Sequence, residues 1–120
     1  MKVFTSYYKR FTDTPTSAIP VRVSTSVPNW FPYLPVEMRE LYPGWELVTA
    51  YKDGVITWEE YKLIYTEKLR VLGKDYIMDR LREISSSMDN RDICLLCYEK
   101  DSNCHRHIIA EFLDCDIVEL

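Results

Sequence analysis

The first third of the chain contains two segments whose hydrophobic patterns are typical of β-strands. Residues 3–8 (VFTSYY) are rich in β-branched and aromatic side chains, which favour an extended backbone. Residues 19–26 (IPVRVSTS) alternate the apolar residues Ile19, Val21 and Val23 with more polar neighbours. Because successive side chains of a strand point to opposite faces, this alternation predicts a half-buried strand.

Two further apolar segments predict strands of different kinds. Residues 93–98 (ICLLCY) form a continuous apolar run, which is typical of a parallel strand that is covered on both faces of its sheet. Residues 45–51 (WELVTAY) predict a short strand that ends at the turn signal Asp53-Gly54.

Helical spacing of apolar residues predicts three helices. Thr57 and Glu60 match a capping box, and the apolar residues that follow recur every three or four positions, so we expect a helix over residues 57–72. The same spacing predicts two more helices, over residues 75–87 and 104–114.

Polar and proline-rich segments separate these elements. Residues 12–20 are rich in Thr, Ser and Pro and predict a loop. Residues 27–45 contain four prolines and five aromatic residues. Because proline cannot donate a backbone hydrogen bond, we expect an irregular excursion there, held in place by buried aromatic side chains. Strands and helices in this order predict an α/β fold, a single domain over residues 1–120 with a mainly parallel sheet flanked by helices.

Composition indicates a folded cytoplasmic protein. A chain of 120 residues, 47% of them apolar, is long enough to bury one hydrophobic core. It has no run of about 18 apolar residues and no continuous apolar segment near Met1, so we expect neither a membrane span nor a secretory leader. Four cysteines without a leader predict free thiols in a reducing compartment. The net charge of −4 argues against broad, non-specific binding to nucleic acid.

The candidate chemistry is concentrated in residues 94–107 (CLLCYEKDSNCHRH), which hold three of the four cysteines and both histidines. A zinc site is one interpretation, because cysteine and histidine are the common zinc ligands. However, Cys94 and Cys97 are three positions apart on a predicted strand. Their side chains therefore point to opposite faces and cannot easily coordinate one metal ion. We therefore predict no structural zinc and no cofactor, and we expect Cys94 to be a small buried side chain.

The start of the last predicted helix favours a thiol and anion site. Ser102 or Asn103 is a suitable N-cap, which would place Cys104, His105 and Arg106 in the first helical turn. Free N–H groups and the positive end of the helix dipole attract anions there, and the same field lowers the pKa of a cysteine thiol.

These residue types suggest specific roles at that site. We expect Cys104 or Cys97 to act as the thiolate, Glu99 or His105 to transfer protons, and Arg106 to hold an anion. Arg22 and Ser24, at the end of another predicted strand, would complete the pocket. Cys115 lies beyond the helix and is expected to be structural.

The segment Leu95-Leu96-Cys97-Tyr98-Glu99-Lys100, followed after a short polar gap by Cys104-His105-Arg106, resembles the signature of the domain-of-unknown-function family numbered 488. Weaker similarity covers most of the chain, including the proline-led strand at residues 20–24 and the helix at residues 57–69. Many family members carry Asp-Val-Arg where this chain has Pro20-Val21-Arg22, so no role for that aspartate is transferred. The resemblance implies a small α/β domain and the position of a site, without an established reaction.

Three functions fit these observations. The first is an enzyme or binding domain for a phosphorylated or nucleotide-like small molecule. The second is a structural or protein-interaction domain in which the Cys/His/Arg cluster is an internal hydrogen-bond network. The third and least favoured is a nucleic-acid-associated module that stacks bases beside Arg10 and Arg22 on exposed members of an aromatic group, namely Trp30, Phe31, Tyr33 and Trp45. The sequence makes no prediction of oligomeric state.

Overall fold

A computed structural model describes residues 1–100 and 103–120 of the chain. Within these residues, the strands are β1 (Val3–Tyr7), β2 (Ile19–Arg22), β3 (Val36–Glu37), β4 (Ile93–Cys97) and β5 (Ile117–Glu119). The α-helices are α1 (Tyr8–Asp13), α2 (Trp45–Lys52), α3 (Trp58–Leu72), α4 (Lys74–Ser87) and α5 (His105–Leu113), and a short 3-10 turn covers Arg39–Leu41.

The strands in the described part of the chain form one sheet in the order β3-β2-β4-β1-β5. Each pair of neighbours is parallel, with Val3 and Ile19 on either side of Ile93 in the centre of the sheet. The sheet is parallel because each strand returns by a crossover connection rather than by a hairpin. The predicted α/β fold class is confirmed.

Each face of the sheet packs against a different set of elements. On one face, α3, α4 and α5 cover the side chains of Ile93 and Leu95 in the larger core. On the other face, α1 and the segment after β2 cover Cys94 and Leu96, with Tyr8 and Phe31 in a smaller core. All five residues of β4 are buried, so the continuous apolar run of this strand reflects its coverage on both faces.

Local sequence signals account well for the long helices. Thr57 accepts a hydrogen bond from the backbone N–H of Glu60, and the Glu60 carboxylate accepts one from the N–H of Thr57. This reciprocal capping box begins α3, and Gly73 ends the helix with a positive φ of 91°. The helices predicted over residues 57–72, 75–87 and 104–114 are therefore present, with ends that differ by at most one residue.

The prediction of a strand over residues 45–51 was wrong, because this segment is α2. Trp45, Val48 and Tyr51 recur at helical spacing, and in so short an apolar segment the two periodicities are hard to separate. Val48 and Tyr51 line a cavity. Helix α1 and strand β5, which are six and three residues long, were not predicted from the sequence.

The aromatic residues of the proline-rich excursion are less buried than expected. Phe31 is buried in the smaller core, whereas Trp30 and Tyr33 are about half exposed and Trp45 is 61% exposed. The excursion is also less irregular than predicted, because it contains β3 and the 3-10 turn. Among the described residues, no helix is both long enough and apolar enough to cross a membrane.

Candidate functional site

The candidate site lies at the carboxyl ends of β2 and β4, which are neighbours in the sheet. The segment after β2 leads to Val27 and Phe31 on the face covered by α1, whereas the segment after β4 leads to α5 on the opposite face. In parallel sheets a crevice opens where adjacent connections leave toward opposite faces, and ligands bind there. A cavity of about 700 Å³ occupies this position.

The cavity has an aromatic wall and a polar wall. The side chains of Tyr51, Trp58 and Tyr61 form the aromatic wall, with ring centroids 5.0 to 5.6 Å apart. Residues 24–26, a Ser-Thr-Ser segment that follows β2, form the polar wall. The remaining lining includes Trp45, Lys52, Cys97, Tyr98, Glu99, Asn103, Cys104 and His105.

Cys97 and Cys104 are joined by a disulfide, which corrects the expectation of four free thiols. Cys97 ends β4 and Cys104 is the N-cap of α5, so the connection between the two elements brings the sulfur atoms together at the cavity. Cys94 and Cys115 are free, the former buried and the latter exposed. Cys94 packs in the smaller core on the opposite face from Cys97, as the alternation of strand side chains predicts.

The first turn of α5 differs by one residue from the prediction. Cys104 is the N-cap rather than a member of the first turn, and its side chain makes no capping hydrogen bond. Ser102, one of the two predicted N-caps, lies outside the described residues. Asn103 donates from its side-chain amide to the hydroxyl oxygen of Tyr51 at 3.2 Å, which connects the start of α5 to the aromatic wall.

His105 is held in one tautomer beside the disulfide. Its Nε2 lies 2.6 Å from the carbonyl oxygen of Val23 and must donate to it, since a carbonyl can only accept. In the neutral ring, Nδ1 then carries a lone pair, and it lies 3.2 Å from Sγ of Cys97 and 3.9 Å from Sγ of Cys104. Burial lowers the pKa of His105 to about 4, although the bond to Val23 opposes this shift. His105 is therefore neutral at pH 7.

The same three residues also have the composition of a metal site. The ligand atoms of Cys97, Cys104 and His105 all lie within 4.8 Å of one another, and all three side chains are buried. Cys94 and Cys97 point to opposite faces of β4 and cannot share an ion, but this cluster pairs Cys97 with Cys104 instead. In the disulfide form the two sulfur atoms are bonded to each other, so a thiophilic ion would require their reduction.

Arg106 does not line the cavity, contrary to the expected anion-binding role. Its guanidinium forms a salt bridge with Glu119 at 2.9 Å and donates to the carbonyl oxygen of Glu99 at 2.5 Å. Only 1% of Arg106 is exposed, and Thr5 donates to the same carboxylate of Glu119. These bonds tie α5 to β1, to β5 and to the segment after β4. Arg106 therefore belongs to an internal network of the kind that the structural hypothesis predicted.

Two of the other predicted site residues, Glu99 and Ser24, lie at the cavity. Glu99 lies at the cavity, but its carboxylate pairs with Lys52 at 3.0 Å rather than with His105. Ser24 also lines the cavity, where its hydroxyl donates to the carbonyl of Ser26 and accepts from Tyr8.

Arg22 lies outside the cavity lining. Its guanidinium bonds to Glu37 at 2.7 Å and to the carbonyl oxygens of Ser24 and Thr25, and it lies over the ring of Tyr42. The structure thus brings Cys97, Cys104, His105, Glu99 and Ser24 to one cavity and leaves Arg22 and Arg106 out of it.

The aromatic wall was not predicted from the sequence. Trp58 and Tyr61 were interpreted only as the apolar face of a helix, and Tyr51 as part of a strand. The available signal was the helical spacing of Trp45, Val48 and Tyr51, which places aromatic side chains on one face of a short helix before α3.

Comparison with known proteins gives one informative result. The family model DUF488-N3a, described as the "Active DUF488-N3 subclade", matches residues 15–116. This match confirms the resemblance that the Cys-x-Glu and Cys-His-Arg segments suggested. No curated protein and no solved structure matches the chain.

Proposed function

Since the chain belongs to the DUF488-N3a family, we propose that it is an enzyme of the cytoplasm that binds a planar, nucleotide-like small molecule and attacks it with the thiol of Cys97. The observation that carries the proposal is the fixed tautomer of His105. Its Nδ1 lone pair lies 3.2 Å from the sulfur of Cys97, beside a cavity large enough for such a molecule.

The size and lining of the cavity support a planar ligand with a polar edge. Small-molecule sites typically enclose about 300–1,000 Å³, and 700 Å³ lies within this range. The rings of Tyr51, Trp58 and Tyr61 offer faces and edges on which a heterocycle can stack. The hydroxyl and backbone groups of residues 24–26 on the polar wall offer hydrogen bonds to the edge of that ring.

The start of α5 supports the binding of a phosphate on the same molecule. The backbone N–H groups of His105 and Arg106 and the positive end of the helix dipole favour a negative charge near Cys104. Lys52 adds a cationic side chain to the cavity lining, where it is paired with Glu99. Arg22 and Arg106 are not part of this proposal, because other groups of the chain occupy both guanidiniums.

The chemistry begins once the disulfide is reduced. Nδ1 of His105 accepts the proton of the Cys97 thiol while the sulfur forms a bond to an electrophilic atom of the substrate. The leaving group departs with the electron pair of the broken bond and receives the proton from His105. Water then attacks the substrate group, the bond to Cys97 breaks, and the proton of the water passes through His105 to the departing Cys97 sulfur. Because burial disfavours a charged imidazole, the proton moves during the attack rather than before it.

Two tryptophans of the chain provide a matched test of binding. Trp45 lines the cavity and is 61% exposed, whereas Trp30 is 50% exposed and lies outside the cavity lining. Nucleoside monophosphates, bare nucleosides and ribose 5-phosphate are titrated into the reduced protein while its fluorescence is followed. We expect a nucleoside monophosphate to bind best. Trp45→Ala removes a further aromatic ring from the cavity lining and should weaken that binding about tenfold, in line with the loss of one stacking contact of about 1–3 kcal/mol.

Trp30→Ala is the control and should leave the affinity unchanged. The proposal is wrong if none of these compounds binds, or if Trp30→Ala weakens binding as much as Trp45→Ala does. The covalent step is tested by intact mass spectrometry of the reduced protein after incubation with compounds that bind. An adduct should form in the parent protein and be absent from Cys97→Ser.

A further inference from the structure

The Cys97–Cys104 disulfide lies at a cavity rather than inside a sealed core. We propose that the two cysteines are a redox couple, in which Cys97 reduces a small hydroperoxide, Cys104 closes the disulfide, and small thiols reopen it. This inference rests on the proposed function only in using the same cavity and the same cysteine, and it needs no nucleotide-like substrate.

Geometry distinguishes the two sulfur atoms. Nδ1 of His105 lies 3.2 Å from Sγ of Cys97 and 3.9 Å from Sγ of Cys104, so Cys97 is better placed to give up its proton. Cys104 instead lies at the N-cap of α5, a helix of nine residues, where the positive end of the dipole stabilises a thiolate. Cys97 is therefore the attacking sulfur on oxidation, and Cys104 is the leaving sulfur on reduction.

The oxidative half of the cycle balances with a hydroperoxide as the oxidant. The Cys97 sulfur attacks the terminal oxygen of ROOH, the O–O bond breaks, and the proton held by His105 passes to the departing alkoxide. This step yields Cys97 sulfenic acid and an alcohol. The Cys104 thiol then attacks the Cys97 sulfur, the S–O bond breaks, and water leaves as the disulfide forms.

The reductive half of the cycle balances with two small thiols. The first thiolate attacks Cys97, forms a mixed disulfide and releases Cys104 as a thiolate. The second attacks the sulfur of the first, which frees Cys97 and leaves an external disulfide in solution.

Burial selects the oxidants and reductants by size. Cys97 is 1% exposed and Cys104 is 2% exposed, yet both line the cavity, so only a molecule small enough to enter it can react. Cys94 lies on the opposite face of the sheet, where burial raises the pKa of its thiol. Cys115 is exposed and free, and it does not line the cavity. Reversible oxidation is therefore directed to one pair, and it removes the nucleophile on which the proposed function depends.

The test begins with reduced protein from which the reductant has been removed. One equivalent of hydrogen peroxide is added, and disulfides are mapped by mass spectrometry against time. We expect a Cys97–Cys104 disulfide in the parent protein, a trappable sulfenic acid on Cys97 in Cys104→Ser, and no rapid oxidation in Cys97→Ser. His105→Asn should slow the reaction by at least about tenfold, because it removes the acceptor of the thiol proton.

Controls separate this couple from ordinary surface oxidation. Cys115→Ser should form the same disulfide at the same rate as the parent protein. Free cysteine should reopen the disulfide, whereas a thiol attached to beads, which cannot enter the cavity, should not. The inference is overturned if Cys97→Ser consumes peroxide as fast as the parent, if Cys115 supplies the disulfide, or if His105→Asn has no effect while its circular dichroism spectrum remains native.

The outcome is distinguishable from that of the proposed function. Nucleotide binding to the reduced protein without rapid disulfide formation would overturn the redox couple alone. Rapid formation of the disulfide in a protein that binds none of the tested compounds would overturn the nucleotide-like substrate alone.

Discussion

His105 and Arg106 are consecutive residues of α5, yet they belong to regions with opposite properties. His105 faces the cavity and the sulfur of Cys97, with one ring nitrogen left to accept a proton. Arg106 faces the carboxyl end of β1, where Glu119 and backbone carbonyls surround its guanidinium. Of these two neighbours, His105 is therefore available for chemistry and Arg106 stabilises the fold. An arginine at the start of a helix suggests an anion site, but here it holds together the elements on which the site is built.

The largest expected effect concerns Arg106, the residue that stabilises the fold. Replacing Arg106 with Ala removes a buried guanidinium and leaves the Glu99 carbonyl and the Glu119 carboxylate without their partner. Because the Glu119 side chain is 33% exposed, water can solvate its carboxylate, and the cost is about 2–3 kcal/mol, below that of breaking a fully buried pair. We expect a loss of unfolding free energy of this order in urea titrations. Arg10→Ala is the control, because Arg10 is exposed, lies over the ring of Tyr7 and donates to the carbonyl of Leu120. It should change stability by about 0.5 kcal/mol or less.

The opposite outcome, a stable variant that does not bind, would show that His105 and Arg106 both belong to the binding site. If Arg106→Ala is as stable as the parent but loses nucleotide binding, Arg106 contacts the ligand and is not a structural residue.

The next largest effect is a dependence of stability on pH that originates in His105. The pKa of His105 is lowered to about 4 in the folded chain, first by burial and then by the nearby charges of Arg106 and Lys68, from a value of 6.5 for an unperturbed histidine. Unfolding therefore takes up a proton between these two values. Stability is complete above pH 6.5, decreases as the pH falls toward 4 and levels off below it, with a maximum slope of about 1.4 kcal/mol per pH unit.

This slope is measured by thermal or urea unfolding between pH 4 and 7.5. The decrease in stability between pH 6.5 and 4 that His105 causes should be absent from His105→Asn and present in His107→Asn. A His105→Asn protein with the same pH profile as the parent would show that His105 is not buried as a neutral ring.

The smallest effect is expected at Glu99, which contacts both the structural network of Arg106 and the cavity. Its carbonyl oxygen accepts from Arg106, while its carboxylate pairs with Lys52 at the cavity. Glu99→Gln removes the second interaction only. Both side chains of that pair are about half exposed, so stability should change by about 0 to 1 kcal/mol. Nucleotide affinity should rise, because Lys52 is then released for the phosphate. A loss of stability as large as that of Arg106→Ala would place the Glu99 carboxylate in the structural network.

Much of the fold could be predicted from the sequence, because its signals are local. The capping box at Thr57 and Glu60 begins α3 as expected, and the continuous apolar run of β4 predicts a strand covered on both faces. The opposite orientation of Cys94 and Cys97 also follows from the alternation of strand side chains alone. The sequence by itself therefore determined the α/β class, the long helices and the segment that carries the site.

Tertiary structure decided which side chains of that segment meet. The parallel order of the sheet places the end of β2 beside the end of β4, and this arrangement brings the Val23 carbonyl to His105. The return of the chain from β4 into α5 joins Cys97 to Cys104, and β5 supplies the Glu119 that neutralises Arg106. These partners are 82, 7 and 13 residues apart in the chain. No local pattern encodes such pairings, because they depend on which strands become neighbours and which face each helix covers.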